Sequence, residues 1–173
     1  FNVSRGLKSW NHEDIFNREP IRRFALAMET NEAFLGAKTV NPFHFQKFDL
    51  QSITVYRNGY PIAGTPLQTE NDKKLYLNSL EALQFKAHGH GVPFEDYSNH
   101  YVLVFDLTST QQASYDYLYP ELTNASVSID LRFKSDLGAS VELFFLGEKA
   151  STIYINSDRQ VSKNIQLKNK TEK

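Results

Sequence analysis

Two histidines and a glutamate are the residues whose types and spacing suit a metal ion. His88 and His90 are two positions apart, so on an extended segment both side chains lie on one side, and Glu95 follows five positions later. Imidazole and carboxylate groups in such a set are typical of a transition-metal site. Residues 87–93, however, are rich in glycine and end in proline, which predicts a loop with solvated histidines. We therefore expect no metal here and keep the metal site as an alternative.

Three tyrosines are the residues best suited to recognise a ligand. Tyr115, Tyr117 and Tyr119 recur at every second position, so an extended backbone would place them in one aromatic strip. Such a strip can stack on a sugar ring or fill a groove of a partner protein. The competing interpretation is that the rings cover one end of the fold, and we favour it.

The remaining polar residues do not predict catalysis. The sequence has no cysteine, no Gly-x-Ser-x-Gly motif and no glycine-rich phosphate loop, so it lacks a thiolate and any recognisable nucleophile or phosphate site. The acidic pairs Glu13-Asp14 and Glu95-Asp96 consist of adjacent residues, which point in opposite directions on a strand. We expect a protein without enzymatic activity and without a cofactor.

The composition predicts one globular domain. The chain has 173 residues, of which 40% are hydrophobic and 13% aromatic, enough for one well-buried core. Its net charge of −1 does not indicate binding to DNA or RNA, and no apolar run is long enough to span a membrane. The chain starts at Phe1 without a signal-peptide pattern, and the lack of cysteine fits a reducing compartment. We expect a processed product or a piece of something longer.

The elements that must position these residues are mostly strands. A helical period predicts one helix over 71–85, with Asn71 or Asp72 as its N-cap, and one helical turn over 31–36. Tight turns are expected at 135–138 and 147–150. Period-2 patterns predict strands over residues 22–30, 51–56, 60–67, 100–107, 123–133, 139–146 and 151–155.

This succession of strands predicts an all-β fold, an antiparallel eight-stranded jelly-roll sandwich with one or two short helices in the connections. The strand over 100–107 is apolar on both faces, so we expect it to be central. We divide the chain into an N-terminal arm over 1–19, the jelly-roll domain over 20–160 and a charged tail over 161–173.

The segment Asn-Pro-Phe-His-Phe-Gln-Lys-Phe-Asp-Leu precedes the second of these strands. Asn41 and Pro42 open it, because proline fixes its own backbone and favours an extended residue before it. Phe43 and Phe45 alternate with polar residues, and the pattern slips by one position before Phe48, which predicts a bulge or a short turn. We expect these three phenylalanines to be core or inter-lobe anchors.

A turn motif follows the strand predicted over residues 51–56. Asn58-Gly59 lies between two extended runs, and this dipeptide is the strongest short-range indication of a hairpin. The arm after it contains Pro61 and Pro66, which predicts an edge or irregular strand.

The segment over 41–50, with the strand and Asn58-Gly59 behind it, resembles the hallmark of the major capsid proteins of Polinton (Maverick) elements and related adintoviruses. Other motifs of that family follow in the same order, and together they cover most of residues 13–160. They are Pro-Ile-Arg-Arg at 20–23, Asn-Glu-Ala-Phe-Leu-Gly at 31–36, the strand ending in Phe105 and Asp106 before Leu-Thr, Val-Ser-Ile-Asp-Leu-Arg-Phe at 127–133, and a closing strand at 153–155.

The resemblance implies a double jelly-roll protein whose trimers form pseudo-hexagonal capsomers, with the matching residues in its carboxy-terminal lobe. It implies self-association into a homotrimeric capsomer, contacts with other capsid proteins, and location in a virion assembled inside a host cell. No small-molecule substrate, direct nucleic-acid contact or membrane contact is expected. A single lobe would be either a fragment or a shortened, domesticated descendant.

Two other functions stay open. A jelly-roll binding module would use the tyrosine strip to recognise a glycan or a protein. A His-x-His motif followed by Glu on a jelly roll also resembles cupins, but Ala82 and Val102 stand where cupins have glycines, and the later histidine, His100, is too near to be the fourth ligand.

Overall fold

The computed structural model describes residues 1–62, 64–83, 93–98, 100–111, 113, 124–149 and 153–163. Within these ranges the chain forms eleven strands and three short helices. The strands are β1 (Asn2–Val3), β2 (Ser9–His12), β3 (Ile21–Thr30), β4 (Leu50–Arg57), β5 (Tyr60–Pro61), β6 (Leu67–Gln68), β7 (Val102–Asp106), β8 (Val127–Phe133), β9 (Val141–Lys149), β10 (Ile153–Ile155) and β11 (Val161–Lys163). The helices are α1 (Asn31–Phe34), α2 (Asp72–Leu83) and α3 (Phe94–Tyr97).

The strands form two main antiparallel sheets and a separate hairpin. The first sheet has the order β1-β9-β3-β7, and the second has the order β2-β8-β4-β5, with β6 also pairing with β4. The first four strands alternate between the two sheets, and β8 and β9 return to lie inside them, which is the connectivity of a jelly roll. The predicted antiparallel jelly-roll sandwich is therefore confirmed.

The core lies between the sheets and follows the predicted alternation. Every second residue of β8 is buried, from Val127 to Phe133, and Phe24, Leu26 and Met28 of β3 face them from the first sheet. Each fully buried side chain of this size contributes about 1.5–3 kcal/mol relative to an exposed one. The same packing directs the alternate residues of β3 and β9 to the outer face of the first sheet.

Two turns with left-handed residues frame β4. Asn58 and Gly59 have φ angles of 51° and 80°, as a type I′ turn requires, so the predicted hairpin is confirmed. Phe48 and Asp49 also have positive φ angles, 48° and 54°, and the register of β4 against β8 shifts directly after them. The slip in the sequence pattern thus corresponds to both a turn and a bulge.

The N-terminal residues 1–19 are part of the sandwich, contrary to the prediction of a loosely structured arm. β1 pairs with β9 at the edge of the first sheet, and β2 pairs with β8 at the edge of the second. Val3 is fully buried. The two strands are only two and four residues long, so they are too short to display a period in the sequence.

Two further expectations were wrong at the end of the sandwich. β9 continues to Lys149, so Gly147 is a strand residue and not part of a turn over 147–150. A Cβ atom at Gly147 would lie 2.9 Å from Cε1 of Phe16 and 3.0 Å from Cδ1 of Ile21, so glycine is required by close packing. In addition, the first three residues of the predicted tail over 161–173 form β11, paired with β10.

Strand β7 lies at the edge of the first sheet and not at its centre, and helix α2 covers it. Asn71 caps this helix, because its Oδ1 atom accepts a hydrogen bond from the backbone N–H of Lys74 at 3.1 Å. Ser79 Oγ donates to the carbonyl of Val102 and accepts from the N–H of Val104, both at 3.2 Å. Backbone groups that an edge strand would expose are thus satisfied by the helix.

Candidate functional site

The outer face of the first sheet carries exposed apolar side chains on β9. Phe144 lies opposite Ala27 of β3, and Leu146 lies opposite Ala25. Phe144 is 36% exposed and Leu146 is 76% exposed. Because the facing β3 residues are alanines, the β9 side chains project above their neighbours and cannot be covered from within the sheet.

Two more phenylalanines extend this surface. The ring of Phe34 lies 5.8 Å from that of Phe144, and the ring of Phe45 lies 6.3 Å from it. Phe34 is positioned by α1, which begins directly after β3 and is capped by Thr30, whose Oγ1 accepts from the N–H of Ala33 at 3.3 Å. We call Phe34, Phe45, Phe144 and Leu146 the outer strip.

A groove continues from the outer strip towards the end of α2. Its volume is about 330 Å³, and it lies between β9, β3, β7 and the last turn of the helix. Most of its lining is apolar, with an Arg23–Glu148 ion pair of 2.6 Å at its rim. Its lining side chains include Arg23, Ala25, Leu83, Val104, Leu146 and Glu148.

The segment over 41–50 hydrogen-bonds to β3 and to the residue before β7, at one end of the first sheet and beside the outer strip. Gln46 donates its N–H to the carbonyl of Met28 at 2.9 Å, and the carbonyl of Phe45 accepts from the N–H of Tyr101 at 3.2 Å. Phe48 is half-buried against the core, but Phe43 is 69% exposed. A core role for Phe43 is therefore wrong, because its backbone is held at the sheet end and its ring points to solvent, whereas its alternative role as an inter-lobe anchor stays a prediction.

Lys47 fixes this segment to helix α2. Its Nζ atom lies 2.7 Å from Oδ1 of Asp72, donates to the carbonyl of Thr69 at 3.1 Å, and sits 5.4 Å from the ring centre of Tyr101. Burial alone would raise the pKa of Asp72, but hydrogen bonds from Lys47 and Tyr101 and the charge of Lys47 outweigh it and lower this pKa. The pKa of Tyr101 is raised by burial and then by Asp72. The ionised pair stabilises the join.

The residues of the capsid-like motifs that the sequence singles out also have structural contacts. We call this set the signature residues: Asn41, Pro42, Phe43, Phe45, Phe48, Asn58, Gly59, Phe105 and Asp106. Asn41 accepts the N–H of Phe43 at 3.0 Å through its Oδ1 atom and so forms the turn that contains Pro42. Phe105 is buried and its ring stacks on Phe24 at 5.2 Å between centroids. These residues shape the backbone and the core.

Two further signature positions hold turns at the same end of the sandwich, where Nη1 of Arg57 donates to the carbonyl of Leu107 at 3.3 Å. Asn58 Oδ1 accepts the N–H of Ser126 at 3.0 Å, next to Gly59. Asp106 is 5% exposed and accepts hydrogen bonds from the N–H and Oγ1 of Thr108, at 2.8 and 2.6 Å, and from the N–H of Ala113 at 2.8 Å. A buried carboxylate with three donors is typical of a structural turn.

A pair of carboxyl groups was not found by sequence analysis. Glu29 of β3 lies directly opposite Glu142 of β9 at the end of the outer face, is 3% exposed, and has one oxygen, Oε2, without a hydrogen-bond partner. Burial raises the pKa of Glu29, and the nearby charge of Glu142 raises it further. Glu142 Oε1 accepts from the amides of Asn2 and Asn31 at 2.6 and 2.7 Å. A glutamate within the apolar run of β3 was the available signal.

Most of the candidate metal-binding and ligand-binding residues lie outside the described ranges. These candidates are His88, His90, Tyr115, Tyr117 and Tyr119, whereas Glu95 is described and is an exposed residue of α3. Across the described ranges, no three histidine, aspartate or glutamate side chains are grouped to hold a metal ion. No described helix is both long enough and apolar enough to cross a membrane.

No protein-family model, curated protein or solved structure matches this chain. Function must therefore be inferred from the surfaces and contacts of the molecule itself.

Proposed function

We propose that this chain is a capsid structural protein of a virus or transposable element, one lobe of a double jelly-roll major capsid protein, which builds capsomers by self-association without catalysis. The observation that carries the proposal is the outer strip with its adjoining groove. A sandwich that buries its core between two sheets has no internal reason to display apolar side chains on an outer face.

The exposure of these side chains favours an interface. Leu146 is 76% exposed and Phe34 is 54% exposed, and both belong to one connected surface with Phe144. Contiguous exposed apolar patches that exceed those of typical monomers mark interaction sites on soluble proteins. The apolar core of a protein–protein interface is built from aromatic and aliphatic side chains of this kind.

The contacts of the signature residues support a structural and not a catalytic role. Asn58 and Asp106 hold turns, Phe105 packs in the core, and Lys47 joins the signature segment to α2. Such contacts favour a protein whose function is its shape and its packing against neighbours. The binding-module and metal-site alternatives depend on residues outside the described ranges and stay predictions.

The test is the solution mass of the full chain, measured by light scattering over a wide concentration range. We expect a trimer of about three times the 19.9 kDa of one chain, or larger particles that grow with concentration. The Leu146→Glu variant should associate far less. The control is Tyr60→Glu, which changes a side chain 78% exposed on β5 of the second sheet. A strict monomer at every concentration contradicts the proposal.

A further inference from the structure

The hairpin of β10 and β11 presents a second exposed apolar face. The two strands form a sheet of their own, with Ile155 paired to Val161. Ile153 and Ile155 lie on the same face, two positions apart, and the exposed fractions of Ile153, Ile155 and Val161 are 60%, 69% and 67%. An isolated two-stranded hairpin is marginally stable in water unless its apolar face packs against something.

The loop of this hairpin is closed by one side chain. Asn156 Oδ1 accepts hydrogen bonds from the backbone N–H groups of Asp158 and Gln160, at 3.0 and 2.8 Å. The carbonyl of Asn156 also accepts the N–H of Arg159 at 3.0 Å. The loop geometry is therefore defined before any partner binds, which lowers the entropy cost of using the hairpin as a projecting contact.

We infer that the apolar face of the hairpin packs into the groove beside Leu146 on a second copy of the chain, in a head-to-tail contact. This inference rests on the proposed self-association and names the two surfaces that meet. The groove is apolar, has a volume of about 330 Å³, and has room for aliphatic side chains such as those of the hairpin. Its rim carries Arg23 and Glu148, and the hairpin loop carries Asp158 and Arg159, so each side offers both signs of charge.

A second copy is the occupant that covers both surfaces at once. Each chain carries both the β10–β11 hairpin and the groove beside Leu146, and within a chain Ile155 and Leu146 both stay exposed. A foreign partner seated on either surface would leave the other uncovered. A head-to-tail contact between copies covers one of each at every junction, and it closes into a ring when the rotation between copies allows.

A complementation experiment tests the head-to-tail geometry. Leu146→Glu should prevent the groove from binding a hairpin, and Ile155→Glu should prevent the β10–β11 hairpin from binding a groove. Both positions are exposed, so each variant should fold, and circular dichroism checks this. We expect each variant alone to be a monomer. Their equimolar mixture keeps one intact junction, the hairpin of the first with the groove of the second, and should give a dimer of about twice 19.9 kDa that grows no further.

Thiol cross-linking is an independent test of the head-to-tail contact. The chain has no cysteine of its own, so only the introduced cysteines can react. With dissolved oxygen as the oxidant, Leu146→Cys mixed with Ile155→Cys should form mixed disulfide dimers at least about tenfold faster than either variant alone forms disulfide dimers, since contact raises the local thiol concentration from micromolar to millimolar. Leu146→Cys mixed with Ser9→Cys, which lies on β2 of the second sheet, is the matched control.

The outcomes separate this inference from the proposed function. If the unmodified chain associates but the two glutamate variants fail to complement, or if Leu146→Cys cross-links only with itself, the head-to-tail contact is wrong and self-association stands. If Ile155→Glu associates as well as the unmodified chain, the hairpin has no part in the contact. If the unmodified chain is a monomer throughout, both the inference and the proposed function are wrong.

Discussion

Replacing Glu29 by glutamine tests the carboxyl pair on the outer face. Glu29 is 3% exposed, its Oε2 atom has no hydrogen-bond partner, and Glu142 lies directly opposite on β9. Glutamine keeps the shape of the side chain, removes its charge and adds an amide donor beside Glu142. We therefore expect Glu29→Gln to be more stable than the unmodified chain at neutral and alkaline pH.

The expected gain follows from two physical costs. Leaving a buried polar atom without a partner costs about 1–3 kcal/mol. Side chains directly opposite on paired antiparallel strands have Cβ atoms about 4.5–5.5 Å apart, and two like charges at about that separation repel by about 3 kcal/mol at an effective dielectric constant of about 20. These costs overlap, because both concern the same ionised group. We expect the free energy of unfolding to rise by about 1–3 kcal/mol, which is about 2–4 °C in Tm for each kcal/mol in a chain of this size.

The direction in which the stability difference between Glu29→Gln and the unmodified chain changes with pH identifies the charge of Glu29 as its cause. The pKa of Glu29 is raised in the folded state above its ordinary value of 4.5, so folding binds a proton more tightly at this site. The stability of the unmodified chain relative to the variant is therefore greatest below that ordinary value. It is lost as pH rises through the raised pKa of the folded state. The gain from glutamine should be small at acid pH and full at alkaline pH.

Urea unfolding between pH 4 and 9 measures this difference, followed by the fluorescence of Trp10, the single tryptophan, which packs against the core. One low protein concentration should be used throughout, because association changes apparent stability. The control is Glu13→Gln, at an exposed position, which should show no such dependence. A Glu29→Gln gain that is equal at all pH values, or that shrinks as pH rises, refutes the reasoning.

Two further variants test packing that the sequence did not reveal. Ser79→Ala should lower the free energy of unfolding by about 1–3 kcal/mol in urea titrations, because the N–H of Val104 loses its partner. The control is Lys74→Ala, an exposed change on the same helix, which should have little effect. Equal losses of stability in the two variants would contradict the role of the Ser79 hydroxyl. Gly147→Ala should lower the Tm, at a cost of about 1–3 kcal/mol for overpacking against Phe16. In Gly138→Ala no atom lies within 4 Å of the new Cβ, so if this control is as destabilised as Gly147→Ala, the packing explanation fails.

The parts of the fold that the sequence predicted are those set by local rules. The alternation of β8 from Val127 to Phe133, the turn at Asn58-Gly59 and the cap of α2 by Asn71 each depend on residues within a few positions of one another. Backbone conformation and side-chain period determine them without reference to the rest of the chain.

The parts that the sequence did not predict depend on distant contacts. Gly147 is a strand residue because Phe16, far away in the chain, packs on it, and glycine alone indicates a turn equally well. β1 is a strand only because β9 supplies its partner. Phe43 follows the apolar pattern of its segment, yet its backbone is held at the end of the sheet, which leaves its ring exposed.

The outer strip could not be distinguished from core because β7 and β9 have similar sequences and different surroundings. Both strands have consecutive apolar residues, as a strand buried on both faces would. In β7 the outward-facing Val104 is 2% exposed because α2 covers it, whereas in β9 the outward-facing Leu146 is 76% exposed. The pattern of β9 is that of a covered strand and no described element covers Leu146, which agrees with the proposed contact between copies. This is why the association of copies is the property to measure first.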